Sequence, residues 1–213
     1  MGSEWSSLST NHDTPPLNQK EAVLLANETH YRPEELKQLH SRFYRDIIAL
    51  SSSLSDVSHQ GIEFPIFCTC ATFLGVKSPI LQEMFFVTFD QNRDGIITFD
   101  EFAVVLSIMS RGTSREKIDL AFHMLYVVNN YPHPMPSNGS TLQRKGVSVV
   151  VEALKETFGS LTPSVDKQQE HMSMFGTLNI VEELFGSSLE VTRREFVAYV
   201  TRSPAVLKGL AIS

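Results

Sequence analysis

Residues 90–101, Asp90-Gln91-Asn92-Arg93-Asp94-Gly95-Ile96-Ile97-Thr98-Phe99-Asp100-Glu101, constrain this chain more than any other stretch. Side-chain oxygens stand at the first, third, fifth, ninth and twelfth positions and a glycine at the sixth. Apolar residues at helical spacing flank the run: Leu81, Met84 and Phe85 before it, Phe102, Val105, Leu106 and Met109 after it. Calcium asks for six to eight hard oxygens in a flexible shell. This spacing supplies them from Asp90, Asn92, Asp94 and a bidentate Glu101, with Ile96 giving its backbone carbonyl and Thr98 acting through water. Gly95 permits the sharp turn. The competing reading is a polar turn in which Thr98 and Glu101 only cap a helix. Capping, however, requires neither oxygens at three alternate upstream positions nor a glycine at the sixth. The expectation is a helix–loop–helix unit that holds one Ca2+ ion.

One such unit leaves an apolar face exposed, so degenerate partners are expected. Gly61-Ile62-Glu63-Phe64-Pro65-Ile66-Phe67 follows the rhythm of Gly95 to Phe102, setting Ile62 against Ile97, Phe64 against Phe99 and Phe67 against Phe102. Ile66 then falls on the bidentate position and Gln60 on the glycine, so this copy holds no ion in the usual way. A third copy centres on Leu142, with Gly146 at the bidentate position. A fourth centres on Val191 and keeps Glu195, but Leu184, Gly186 and Ser188 stand where acidic ligands belong. The eighth position is apolar in all four, as a short two-stranded contact between paired loops requires. The fold class expected is therefore all-α, four helix–loop–helix units in two lobes with short strands pairing Ile62 with Ile97 and Leu142 with Val191. The divisions are a tail at 1–16, a first lobe at 17–111 and a second at 112–213.

Helix punctuation agrees. Ser78-Pro79 behind Gly75, Thr113 with Glu116 behind Gly112, and Thr162-Pro163 behind Gly159 read as helix stops followed by helix starts. Pro132, Pro134 and Pro136 forbid regular structure through residues 129–140, which read as a surface loop.

A formal charge of -6 argues against a nucleic-acid surface and for cations or basic peptides as partners. Cys68 and Cys70, the 2 cysteines, build neither a disulfide framework nor a zinc site and suit a reducing compartment. The polar first residues carry no signal-peptide core, and the longest nearly apolar run, residues 102–109, is short of a membrane span. Met1-Gly2-Ser3-Glu4-Trp5-Ser6 fits the N-myristoylation pattern with Gly2 as acceptor, against the alternative of a chance hexapeptide. No nucleophile, metalloprotease or phosphate-loop motif occurs, and the chain reads as a binding protein rather than an enzyme.

Four units with this pattern of decay resemble the neuronal calcium sensor, calcineurin B-like and potassium-channel-interacting branch of the EF-hand superfamily. The resemblance rests on the second loop, on the linker Ser110-Arg111-Gly112-Thr113-Ser114-Arg115-Glu116-Lys117-Ile118 with Ala121-Phe122, and on the terminal run Arg202-Ser203-Pro204-Ala205-Val206-Leu207-Lys208-Gly209-Leu210. Leu50-Ser51-Ser52-Ser53 is similar to the calcineurin B-like members with their enlarged first loop. The resemblance implies a calcium sensor or regulatory subunit that takes an amphipathic helix of a kinase, phosphatase, channel or cytoskeletal protein into an apolar groove, with residues 204–212 as a plug. It implies a cytoplasmic location, peripheral at a membrane through a weak Gly2-linked lipid, or flagellar. The alternative is a constitutive structural subunit, calaxin-like and axonemal or dynein-associated, in which the ion only stabilises the fold. Family sensors keep two or three working loops, whereas this chain keeps one.

Overall fold

The computed structural model describes residues 16–51, 61–128, 130, 136–137, 139–158 and 180–203. Gly2, Gln60, Thr162-Pro163, the plug at 204–212 and most of the Pro-rich loop lie outside the described residues.

Helices account for nearly all of the regular structure. In chain order they are α1 (Gln19–Ala26), α2 (Pro33–Ser51), α3 (Phe64–Phe73), α4 (Pro79–Phe89), α5 (Phe99–Arg111), α6 (Ser114–Val127), α7 (Arg144–Phe158), α8 (Ile180–Phe185) and α9 (Arg193–Arg202). Among the described residues four short strands sit between them: β1 (Ile62–Glu63), β2 (Ile96–Ile97), β3 (Thr141–Gln143) and β4 (Glu190–Thr192). This is the all-α architecture that the apolar spacing calls for. Among the described residues no helix is long and apolar enough to cross a membrane.

Local chemistry sets the helix starts. Asn18 with Glu21, Thr98 with Glu101, Thr113 with Glu116 and Thr192 with Glu195 each form a capping box, the hydroxyl or amide oxygen accepting from the N3 amide while the glutamate reaches back to the cap's own N–H. Each box satisfies two amides that a helix cannot pair internally. Ser78 stands at the N-cap of α4 with Pro79 following, but its hydroxyl accepts no capping hydrogen bond. The fixed φ of proline carries that start instead.

The strands join the loops in pairs. β1 lies antiparallel to β2 with Ile62 opposite Ile97, and β3 antiparallel to β4 with Leu142 opposite Val191. All four of these side chains are buried, so each ladder pins its two loops back to back by an apolar contact. Gly61 permits the first ladder: a Cβ there would lie 2.3 Å from the Ile97 carbonyl oxygen.

Two apolar clusters organise the helices. The first gathers Leu36, Phe43, Ile66, Leu81, Met84, Phe86, Ile97, Phe99 and Ala103 from the first half of the chain. Its rings meet edge to face or tilted, Phe43 against Phe99 at 5.6 Å and Phe67 against Phe86 at 5.6 Å, while Phe89 stacks on Phe102 at 5.8 Å. The second holds Ile118, Phe122, Leu142, Val147, Phe185, Val191, Phe196 and Val200. The halves are not sealed from one another. Val127 of α6 and Val150 and Ala153 of α7 belong to the first cluster, because α6 and α7 pack along α4. That seam brings the third helix–loop–helix unit against the helix that leads into residues 90–101.

Candidate metal centre

Residues 90–101 form one continuous loop between α4 and α5, and its side-chain oxygens hold its own backbone. The buried Asp90 accepts from the Asp94 amide at 3.2 Å through Oδ1 and from the Gly95 amide at 3.0 Å through Oδ2. Asn92 Oδ1 accepts from the Asp94 amide at 2.9 Å, and Asp94 Oδ1 accepts from the Ile96 amide at 2.9 Å. Three successive side chains at alternate positions thus turn the chain inward, the local bond that Asp and Asn make more readily than other residues. Arg93 and Gly95 take left-handed backbone, at φ 63 and φ 87. Glycine does so without strain, as its place at the sixth position requires.

Glu101 closes the loop from the far end. Its Oε1 accepts from the Gln91 and Asn92 amides at 3.0 and 3.1 Å, while its Oε2 accepts from the Thr98 amide and hydroxyl at 2.9 and 2.8 Å. One carboxylate therefore ties the twelfth position to the second, third and ninth. The capping role and the loop-closing role coincide in the same side chain, so the two readings of Thr98 and Glu101 are not exclusive.

The donor set can be tested against a divalent cation. Every side chain that the motif offers at the alternating positions presents a hard oxygen, and three of them are carboxyl groups. Burial pushes the Asp90 carboxyl up from its usual range, the Gly95 amide pulls it down, and the nearby charges of Glu101 and Asp94 push it up further. Three carboxylates thus share one field that a cation would relieve. Among the described residues no group of three or more His, Cys, Asp or Glu side chains converges closely enough to hold a metal as it stands. The residues fit calcium by type, order and closure of the loop.

Arg93 makes contacts that the motif alone does not reveal. Its guanidinium donates to the Val87 carbonyl, to the Asp90 carbonyl at 2.7 Å, and across to His123 Nε2 on α6 at 3.2 Å. His123, which sequence alone leaves as a surface or packed residue, is buried. Its pKa is lowered to about 4, by burial first and by Arg93 second. A guanidinium has no acceptor, so neutral His123 accepts at Nε2 and carries its proton on Nδ1. A basic residue at the fourth loop position and a histidine at 123 were the available signals, but their meeting depends on how α6 packs.

The other three loops are built differently. Ile66 is buried in the first cluster, and Gly146 is buried too. Glu195 is engaged by the Thr192 amide and hydroxyl at 2.8 and 2.7 Å, which makes it a helix cap. Arg144 donates from its backbone to the Leu189 carbonyl at 2.9 Å, and its guanidinium reaches the Gly186 carbonyl and the Glu182 carboxylate. A cation of the chain itself therefore takes the backbone carbonyl at the third position of the fourth loop and the carboxylate of the helix that leads into it. Cys68 and Cys70 are free thiols on α3, both pushed up by burial. That raises their pKa away from the thiolate a metal needs.

No family model matches the chain. Among curated proteins it is 34% identical over 114 residues to the calcium-binding protein NCSA of Dictyostelium discoideum, covering 54% of this chain and 56% of that one. It is 32% identical over 106 residues to neuronal calcium sensor 1 of Lymnaea stagnalis, covering 50% of this chain and 51% of that one. It is also 32% identical over 105 residues to neuronal calcium sensor 1 of Aplysia californica, covering 49% and 51%. The chain spans about half the length of these relatives, none of which is named as an enzyme. Over the half of the chain that they match, these relatives, with the helical fold and the paired loops, support a likeness to the neuronal calcium sensor branch of the EF-hand superfamily.

Proposed function

We propose that this chain is a calcium sensor in which residues 90–101 hold one ion. Asp90, Asn92, Asp94 and Glu101 supply side-chain oxygens, Ile96 its carbonyl, and Thr98 a water-mediated contact. The observation that carries the reading is Glu101, whose carboxylate spans the loop from its closing cap to the amides at its start. Glutamate is long enough to offer both oxygens to an ion of calcium's size, while magnesium prefers a tighter octahedral shell. The division into two lobes at 111/112 belongs to the same reading, as does the groove for an amphipathic helix of a target protein. Gly2 as a myristoyl acceptor, giving weak and reversible membrane contact in the cytoplasm, completes it; one such chain binds membranes only marginally.

A second reading is favoured by a specific feature. The apolar side of α4 is already covered by Val127, Val150 and Ala153, and the other three loops keep no full ligand set. A structural subunit whose single ion only stabilises the fold would look like this. Calcium-dependent binding of an apolar dye and of an immobilised amphipathic helical peptide separates the two. A sensor gains both on adding calcium; a structural subunit gains thermal stability alone.

A further inference from the structure

Arg93 sits inside the loop between two of its oxygen donors, and its side chain reaches back to the end of α4 and across to α6. The guanidinium caps the end of α4 at the Val87 and Asp90 carbonyls and crosses 30 residues of sequence to His123 on α6. Its own backbone is held at φ 63, a region a side chain of this length enters at a cost. Arg93 thus ties the backbone between Asn92 and Asp94 to α4 and α6.

We propose that Arg93 is a positioning residue for calcium, clamping the loop to α4 and to His123, so that ion affinity at residues 90–101 depends on a side chain of the third helix–loop–helix unit. The proposal rests on the reading that these residues bind calcium. Its physical basis is preorganisation: a loop already pinned loses less conformational freedom when it closes around an ion. By linkage the effect is reciprocal, and an ion that tightens the loop also acts on α6. The route is short, because α6 and α7 pack on α4, and Val127, Val150 and Ala153 share one apolar cluster with Leu81, Met84 and Val87. A neutral His123 suits the role, since a protonated imidazole would repel the guanidinium instead of accepting from it.

Arg93 also lies in the field of Asp90 and Glu101, so replacing it alters charge as well as anchoring. His123 separates the two effects. His123→Phe keeps a ring and removes the acceptor; His123→Gln keeps an oxygen that can accept. Calorimetric calcium titration of the full chain should show affinity about tenfold weaker in His123→Phe, the size expected for losing one charge-assisted hydrogen bond. Affinity should be largely retained in His123→Gln, and His123→Phe should have no further effect in an Arg93→Met background. Melting temperatures in chelator distinguish a loss of folding from a loss of clamping. In the unmodified chain, calcium should shift the His123 ring and the α6 amide resonances. Wild-type affinity in His123→Phe, independent effects of the two substitutions, or α6 resonances that ignore calcium would overturn the clamp while leaving the ion site standing. A wild-type chain that binds no calcium would overturn both.

Discussion

Gly61→Ala tests the ladder that couples the first loop to the second. The glycine is not needed for its backbone conformation, since its φ is not in the left-handed region; it is needed for space. An added Cβ would lie 2.3 Å from the Ile97 carbonyl oxygen, 2.8 Å from Ile96 Cγ2 and 2.9 Å from the Ile97 carbonyl carbon. Ordinary contact begins at 3.4 Å, so β1 and β2 must separate by about 1 Å. Two of the three clashing atoms are backbone and cannot rotate away. Overpacking of this kind costs about 1–3 kcal/mol. The upper end applies here, because the displacement also loosens a ladder of only two residue pairs, Ile62 with Ile97 and Glu63 with Ile96. With a urea slope of about 1–3 kcal/mol per molar, the midpoint should fall by about 1 M in equilibrium unfolding followed by circular dichroism. Gly75 provides the contrast: it has φ +89 and nothing within 4 Å of a would-be Cβ. Asparagine tolerates that conformation, so Gly75→Asn should cost little while Gly61→Asn costs at least as much as Gly61→Ala. A Gly61→Ala chain with the wild-type midpoint would refute the close approach of the two strands.

Leu81→Ala removes a side chain with no exposed surface at the centre of the first cluster, and urea unfolding should show a loss of about 2–5 kcal/mol. Glu35 accepts two hydrogen bonds from Arg111, at 2.8 and 2.9 Å, and the guanidinium also stacks on Tyr31. The Arg111 contact first, then the Arg32 amide, lower the Glu35 pKa to about 2. A carboxyl depressed on folding stabilises above its unfolded pKa, and that contribution fades as pH falls from about 4.5 towards about 2. Wild type should therefore lose stability more steeply than Glu35→Gln across that interval, read as urea midpoints at several pH values. Gly2→Ala should abolish any 14-carbon acylation seen by intact mass in chain expressed with an N-myristoyltransferase, and a mature wild-type chain left unacylated there would remove the lipid reading.

How much of this was legible beforehand varies with the range of the interaction. Capping boxes at Thr98 and Thr113 depend on residues three apart and follow from local chemistry. The pairing of Ile62 with Ile97 and of Leu142 with Val191 is long in sequence, yet it was readable because each loop repeats the same apolar beat around its eighth position. Ser78 was readable only in part: its position as N-cap is local, but whether its hydroxyl turns inward is not. The Arg93 contact with His123 was not readable at all, since it depends on α6 lying along α4. The same is true of Gly61, whose role appears only when Ile97 is placed opposite. The sharing of Val127, Val150 and Ala153 with the first cluster likewise had no signal, because helical spacing marks an apolar face without naming what covers it.

Calorimetric titration of calcium into the wild-type chain and Glu101→Gln tests the central claim most directly. Asp90, Asp94 and Glu101 bring three negative charges and Asn92 a neutral oxygen, a set suited to dissociation constants on the order of 10⁻⁷–10⁻⁵ M. The expected result is a single site in that range with a Hill slope near one, and a steep loss of affinity in Glu101→Gln while far-ultraviolet circular dichroism of the calcium-free chain is unchanged. Two or more tight sites, or equal affinity in the two chains, would contradict it.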